Sequence, residues 1–202
     1  MNKTLRDTLL EEAYQLFITQ GISALSVEQI TTSLDISPST FREMFRDKAD
    51  LVLQTVEHDI ERQRQEHTEL YAQVQNPIHR LLSLLEIGIR DLRKVSPQYI
   101  IDMQQFPEAW NRGLQHMNDY SYPQLHNLLN EGVLHKMIRA DINIGLVTKI
   151  IMEMFNLMIN ENIFPPSRYS LAEVYRSIYL YYIRGLCTDE GMQAAAAHFA
   201  RM

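Results

Sequence analysis

Apolar residues recur every three or four positions along most of the chain, and this spacing limits the possible folds more than any other feature. A typical stretch ends at Gly21, where a glycine suits the position just after a helix. Its apolar positions are Leu5, Leu9, Ala13, Leu16 and Phe17. No convincing run of alternating apolar and polar residues between turn residues indicates a β-strand. The sequence therefore predicts an all-α protein.

Three short helices are predicted in the first part of the chain, with a tight turn between the second and the third. Ser26 and Gln29 have the spacing of a capping box that opens the second helix. Ser37 followed by Pro38 opens the third, where the missing proline N–H costs nothing. This layout, with its turn at residues 34–37, is typical of a helix-turn-helix whose third helix enters the major groove. The alternative is a small helical packing unit with ordinary caps.

The remaining helices are longer. Asp47 is placed to cap a connecting helix over about residues 47–75. Apolar helical patterns then continue almost to the end of the sequence. We therefore predict an N-terminal helix-turn-helix domain over residues 1–50 and a second helical domain over residues 51–202.

The sequence resembles the TetR (tetracycline repressor) family of bacterial regulators. Residues 34–51, LDISPSTFREMFRDKADL, resemble the family's turn, its recognition helix and the start of its connecting helix. Residues 13–30 resemble its first two helices, and a weaker likeness follows where Glu131-Gly132 precedes residues 138–142. The resemblance implies a DNA-binding helix-turn-helix and a helical C-terminal domain that binds a small molecule and forms a dimer.

Three positions depart from the family's usual pattern. Asp35 stands where the family usually has glycine, and aspartate also tolerates the left-handed backbone of a turn. Arg42 stands in place of a tyrosine, and an arginine can hold a phosphate or read guanine with two hydrogen bonds. Met44 stands where the family usually has tyrosine or histidine, and a methionine can neither hold a phosphate nor read guanine with two hydrogen bonds.

The resemblance also implies which residues contact DNA. The expected set is Ser26, Thr31, Ser37, Pro38, Ser39, Thr40, Arg42 and Lys48. We expect Thr40 and Arg42 to read the DNA sequence and Lys48 to hold a phosphate. Arg46 has two interpretations of equal weight, a DNA contact or a solvated residue that pairs with Asp50 four positions later.

Methionine and aromatic residues are frequent in the second half of the chain. In most helical proteins such residues are core, and this alternative stays open here. The family resemblance implies a ligand pocket instead, because these side chains form adaptable apolar walls. The predicted lining is Met103, Phe106, Trp110, Met117, Tyr120, His126, Met154, Phe155 and Met158.

Two apolar helices close the predicted domain. Pro123 predicts a kink in the helix that precedes them, and Asp141 is placed to cap the first of the two. These helices, at about residues 143–160 and 170–187, carry more apolar surface than one small bundle buries. We therefore predict a homodimer through them, the alternative being that they form the domain core.

The charge of the chain bears on its partners. A formal net charge of −6 argues mildly against a nucleic-acid partner, because DNA-binding surfaces are normally basic. Three basic residues nevertheless lie close together, at Arg42, Arg46 and Lys48. We expect double-stranded operator DNA and a small-molecule effector as partners. A family member that has lost DNA binding and acts as a ligand-binding or interaction protein is the alternative.

Other functional classes lack support in the sequence. There is no HExxH motif, no paired metal-ligand spacing and no glycine-rich phosphate loop, so we expect no enzyme, metal or cofactor. No apolar run is long enough for a membrane span. The single cysteine, Cys187, fits a reducing compartment, and we expect a cytoplasmic protein.

Overall fold

A computed structural model describes residues 4–201, and the regular structure in that range is helical apart from one isolated bridge between Ile138 and Cys187. The helices are α1 (Leu5–Gln20), α2 (Val27–Ser33), α3 (Pro38–Met44), α4 (Lys48–Gln73), α5 (Pro77–Leu92), α6 (Pro97–Met103), α7 (Pro107–His116), a π-helix (Met117–Ser121), α8 (Tyr122–Leu134), α9 (Ile144–Met158), α10 (Leu171–Leu186) and α11 (Asp189–Arg201). The all-α prediction is confirmed. Within the described range, no helix is both long enough and apolar enough to cross a lipid bilayer.

The chain forms two compact units that do not follow the boundary predicted at residue 50. The first unit comprises the chain up to Gln65 together with Lys94–His116. The second comprises Glu66–Arg93 and the chain from Met117 onward. Helices α6 and α7 belong with the N-terminal helices because their apolar residues are buried in the same core. Local periodicity predicts these helices but not the unit that they join.

The core of the first unit lies beneath the predicted recognition helix. Phe41 and Phe45 are buried on one side of it. Leu51 and Val52, in the first turns of α4, are fully buried in the same cluster. The beginning of the connecting helix therefore supports α3 through its buried apolar face.

The core of the second unit is built around α5, which packs against α8, α10 and α11. Its buried side chains include one apolar stripe at helical spacing, Ile78, Leu81, Leu82, Leu85 and Ile89. The cap of α5 is Asn76, whose side chain accepts from the backbone amides of Ile78 and His79. Burial of one apolar stripe therefore orders these helices.

Two predictions about the later helices have different outcomes. Pro123 lies in the first turn of α8, directly after the π-helix, and its missing N–H removes one helical hydrogen bond there; the kink stays a prediction. The prediction that Asp141 caps α9 is wrong. The cap is Asn143, whose side chain accepts from the Leu146 amide, whereas Asp141 pairs with Arg139.

Candidate nucleic-acid interface

The turn between α2 and α3 is held by backbone hydrogen bonds. The Ser26 side chain and Gln29 form the predicted capping box at the start of α2. At the other end, the Ile36 amide donates to the Thr31 carbonyl oxygen at 3.1 Å. Asp35 adopts the left-handed conformation, with φ of 50°. Aspartate tolerates this conformation better than most residues, so the turn forms without the family's usual glycine.

Hydroxyl groups surround the start of α3. The Ser37 side chain accepts from the Thr40 amide at 3.0 Å. Its hydroxyl oxygen also lies 2.7 Å from that of Ser39 and 2.9 Å from that of Thr40. Ser37, Pro38 and Ser39 are exposed and Thr40 is half-buried. These predicted contacts therefore share one end of α3, where hydroxyl groups can donate to or accept from base edges and phosphates.

The opposite side of α3 is anchored in the core. The ring centres of Phe41 and Phe45 lie 5.4 Å apart in a tilted arrangement, and both side chains are almost completely buried. This gives α3 one apolar face and one polar face. A helix that enters a DNA groove needs such a division, because one face must stay attached to the domain.

The two arginines of this region are arranged differently. Arg42 is exposed, and its Nε donates to the Pro38 carbonyl oxygen at 3.1 Å. Arg46 pairs with Asp50, with 3.2 Å between Nη2 and Oδ1, and its backbone amide donates to the same carboxylate. Burial alone would raise the pKa of Asp50, but hydrogen bonds from Arg46 and Gln54 outweigh it and lower the pKa. Of the two interpretations of Arg46, the structure therefore contains the ion pair.

Thr31 does not fit the predicted set of DNA contacts. Its side chain is buried, and its hydroxyl donates to the Glu28 carbonyl oxygen at 3.0 Å within α2. The next residue, Thr32, is the exposed threonine of this helix. Adjacent helical residues point in directions about 100° apart, so burial of Thr31 leaves Thr32 on the exposed side of α2.

Lys48 has a structural role that the sequence did not reveal. Its ammonium group donates to the Leu25 carbonyl oxygen at 2.6 Å and lies 3.5 Å from that of Ser23. Its pKa is lowered, mainly because burial disfavours the charged form, although the nearby Asp102 carboxylate acts in the opposite direction. Lys48 therefore holds the loop that joins α1 to α2.

Asp102 of α6 binds the same loop by accepting hydrogen bonds from the loop's backbone amide groups. Its Oδ2 accepts from the backbone N–H groups of Ile22 at 2.7 Å and Ser23 at 2.8 Å. Its Oδ1 accepts from the Gln98 side chain at 2.7 Å. The Asp102 side chain is completely buried. No sequence motif indicated this residue, because its backbone partners are about 80 positions away along the chain.

The predicted ligand-binding residues are divided between the two units. Met103 is buried in the core of the first unit, and Phe106 and Trp110 pack against the same core. These three side chains therefore help to form the core that supports the helix-turn-helix, and their role in a ligand pocket stays a prediction. The rest lie in the second unit, and they are Met117, Tyr120, His126, Met154, Phe155 and Met158.

Comparison with known sequences supports the interpretation of the N-terminal region. A sequence model of the family described as "Bacterial regulatory proteins, tetR family" matches residues 9–55. The match begins within α1, covers α2 and α3, and ends in the first turns of α4. A search of curated proteins found no match to the chain.

Solved structures resemble the chain over most of its length. A putative transcriptional regulator from Saccharomonospora viridis, solved in complex with choline, has a TM-score of 0.72 and 15% identity over 93% of this chain and 100% of its own. A TetR-family regulator from Agrobacterium tumefaciens has a TM-score of 0.70 and 16% identity over 91% and 97%. PfmR, a TetR-family regulator from Thermus thermophilus, has a TM-score of 0.62 and 21% identity over 89% and 99%. At these identities the likeness shows a shared fold.

Proposed function

We propose that the protein binds operator DNA and regulates transcription, because the model of the tetR family of bacterial regulatory proteins matches its helix-turn-helix region over residues 9–55. The observation that carries the proposal is the division of α3 into an exposed hydroxyl-rich end and a buried Phe41–Phe45 face. In the proposed complex, Ser26, Ser37, Ser39 and Thr40 contact the DNA, and Arg42 reads a base or holds a phosphate.

The DNA-binding proposal predicts that two α3 side chains carry specificity. Arg42→Ala is expected to weaken operator binding by about 1–3 kcal/mol if Arg42 reads a base. If Arg42 holds a phosphate, the same change lowers the salt slope by about 1 instead. Thr40→Ala is expected to relax specificity. The measurement is fluorescence anisotropy over a range of salt concentrations, with an operator selected from genomic fragments.

Arg46→Ala is the matched control, because Arg46 lies in the same region but is paired with Asp50. Its effect on operator affinity is expected to be smaller than that of Arg42→Ala. Unchanged binding in both the Thr40 and Arg42 variants would remove α3 from the interface.

We propose that the regulator acts as a homodimer formed through α9 and α10. Leu146, Ile150 and Leu157 are exposed and share one face of α9, since their spacings are close to whole helical turns. Tyr181 is exposed on α10. Large exposed apolar residues on adjacent helices favour a contact with a second copy of the chain. A symmetric dimer would read a palindromic operator.

The dimer proposal predicts that charges on α9 separate the protomers. Ile150→Asp combined with Leu157→Asp should give a species near 23.7 kDa, whereas the unchanged chain should be about twice that mass. The measurement is light scattering at micromolar concentration. Leu134→Asp is the control, because Leu134 is an exposed leucine at the end of α8. A monomeric unchanged chain would contradict the proposal.

We further propose that a small-molecule effector binds the second unit and releases the DNA, so that the protein acts as a repressor. Met117, Tyr120, His126, Met154, Phe155 and Met158 are the proposed lining. The relative solved with choline supports a small-molecule site in this fold. An effector can shift the protein away from its DNA-binding state only by its difference in affinity for the two states.

A ligand-binding protein that no longer binds DNA is the second candidate. All three basic residues near α3 have partners within the protein, since Arg42 donates to the Pro38 carbonyl oxygen, Arg46 pairs with Asp50 and Lys48 binds loop carbonyl groups. The salt dependence of DNA affinity separates the two candidates, because phosphate contacts release counterions. Affinity that falls steeply with salt supports the regulator.

A further inference from the structure

The hydroxyl group of Tyr71, near the end of α4, is buried and has no hydrogen-bond partner among the described residues. Most buried hydroxyl groups in proteins are hydrogen bonded, because water would otherwise satisfy them at lower free energy. Tyr71 belongs to the second unit. Its hydroxyl therefore offers a hydrogen bond that the folded chain does not use.

Arg80 fixes the position of the Tyr71 ring. Its guanidinium carbon lies 5.1 Å from the ring centre, and its Nη2 donates to the Tyr71 carbonyl oxygen at 3.2 Å. Its Nε donates to the Val74 carbonyl oxygen. Arg80 therefore binds the backbone carbonyl groups of both Tyr71 and Val74, and it holds the Tyr71 ring in one place.

The charge of Arg80 is compensated nearby. Its Nη1 donates to Glu131 Oε2 at 3.1 Å, so a cation and an anion meet beside the Tyr71 ring. An anionic ligand here would compete with Glu131, and a cationic ligand would be repelled by Arg80. The site therefore favours an uncharged molecule.

Tyr120 is close enough to Tyr71 to affect its pKa, and it forms an aromatic pair with His67 of the same unit. Tyr120 lies on the π-helix, and its ring stacks on His67 with 5.9 Å between ring centres. Burial, assisted by the proximity of Tyr120, raises the pKa of Tyr71 to about 12, and Arg80 opposes this effect. The hydroxyl of Tyr71 is therefore protonated at neutral pH and able to donate. A π-helix at such a position is also typical of functional sites.

We propose that the Tyr71 hydroxyl donates a hydrogen bond to the effector, and that the effector is an uncharged aromatic compound with an acceptor such as a carbonyl oxygen. This inference rests on the proposed effector role of the second unit and names the chemistry of the ligand. The ring of the compound packs against the His67 and Tyr120 side chains, while its acceptor oxygen meets Tyr71.

The test compares four compounds of similar shape with the full-length protein by ligand-observed NMR at millimolar concentration. Acetophenone carries the acceptor, ethylbenzene lacks it, benzoate is an anion and benzylamine is a cation. Acetophenone is expected to bind about 5- to 100-fold more tightly than ethylbenzene, because it satisfies a buried donor. Tyr71→Phe is expected to abolish that ratio while leaving ethylbenzene binding unchanged.

Tyr169→Phe is the matched control, because Tyr169 is an exposed tyrosine that belongs neither to the proposed ligand site nor to the proposed dimer interface. It should leave the acetophenone-to-ethylbenzene ratio as it is. Thermal unfolding without compound shows that the variants fold, and the Tm of Tyr71→Phe should equal or exceed that of the unchanged chain.

Three results would overturn the inference: no binding of acetophenone, a ratio that survives Tyr71→Phe, or tighter binding of benzoate or benzylamine. Operator binding measured without any compound tests the proposed function separately. If the DNA binds but acetophenone shows no preference, only the ligand inference fails. If no DNA binds but the preference depends on Tyr71, the regulator proposal fails and the site stands.

Discussion

Asp102→Ala is expected to lower the free energy of unfolding of the first unit by about 3–5 kcal/mol. The carboxylate is completely buried and accepts three hydrogen bonds. Its removal leaves the amide of Ile22, itself fully buried, without an acceptor. Chemical denaturation followed by Trp110 fluorescence measures this effect, because Trp110 packs against the core of the same unit.

Asp102→Asn serves as the conservative variant and should cost less, because an amide oxygen still accepts from the loop. Asp141→Ala is the control for loss of an aspartate, since Asp141 is exposed and pairs only across two residues with Arg139. It should leave the midpoint unchanged. An Asp102→Ala midpoint equal to that of Asp141→Ala would contradict the role of Asp102.

The pH dependence of the free energy of unfolding provides a second test of the role of Asp102. Burial alone would raise the pKa of Asp102, but hydrogen bonds from Ser23, Gln98 and Ile22 outweigh it, and the pKa is lowered. The charged form is therefore favoured in the folded state. Its contribution is complete above the unfolded-state pKa of about 4 and is lost as the pH falls through that value and then through the folded-state pKa. The difference between the unchanged chain and Asp102→Asn should accordingly shrink in acid.

Phe45→Ala is expected to cost about 3–5 kcal/mol of unfolding free energy and to weaken operator binding as well. The side chain has 1% of its surface exposed and contacts Phe41 in the core beneath α3. Its removal leaves a cavity where the recognition helix is anchored. Denaturation by Trp110 fluorescence gives the stability, and anisotropy at a temperature where the variant stays folded gives the affinity.

Leu5→Ala is the control for the loss of a large apolar side chain, because Leu5 is 63% exposed. It should change stability by less than about 0.5 kcal/mol. If Phe45→Ala had an effect of that size, α3 would not depend on Phe45 for its position.

Features that depend on neighbours a few positions away were predictable from the sequence. The caps at Ser26, Ser37 and Asp47 form hydrogen bonds over three residues, so residue type and spacing suffice to identify them. The apolar stripe of α5 follows from helical geometry in the same way. Asp141 shows the limit of this reasoning, since two nearby residues could each cap α9 and only the chain's path selects Asn143.

Features that depend on distant residues were decided by the tertiary structure. Met103, Phe106 and Trp110 have the composition of a pocket wall, yet packing with residues far away in sequence places them under the helix-turn-helix. Lys48 and Asp102 meet the same loop from positions about 25 and 80 residues away. Apolar side chains carry no information about which apolar surface they join, and a charged side chain does not specify its acceptor. The sequence by itself therefore determined the helices and their caps, whereas tertiary packing decided which buried groups meet.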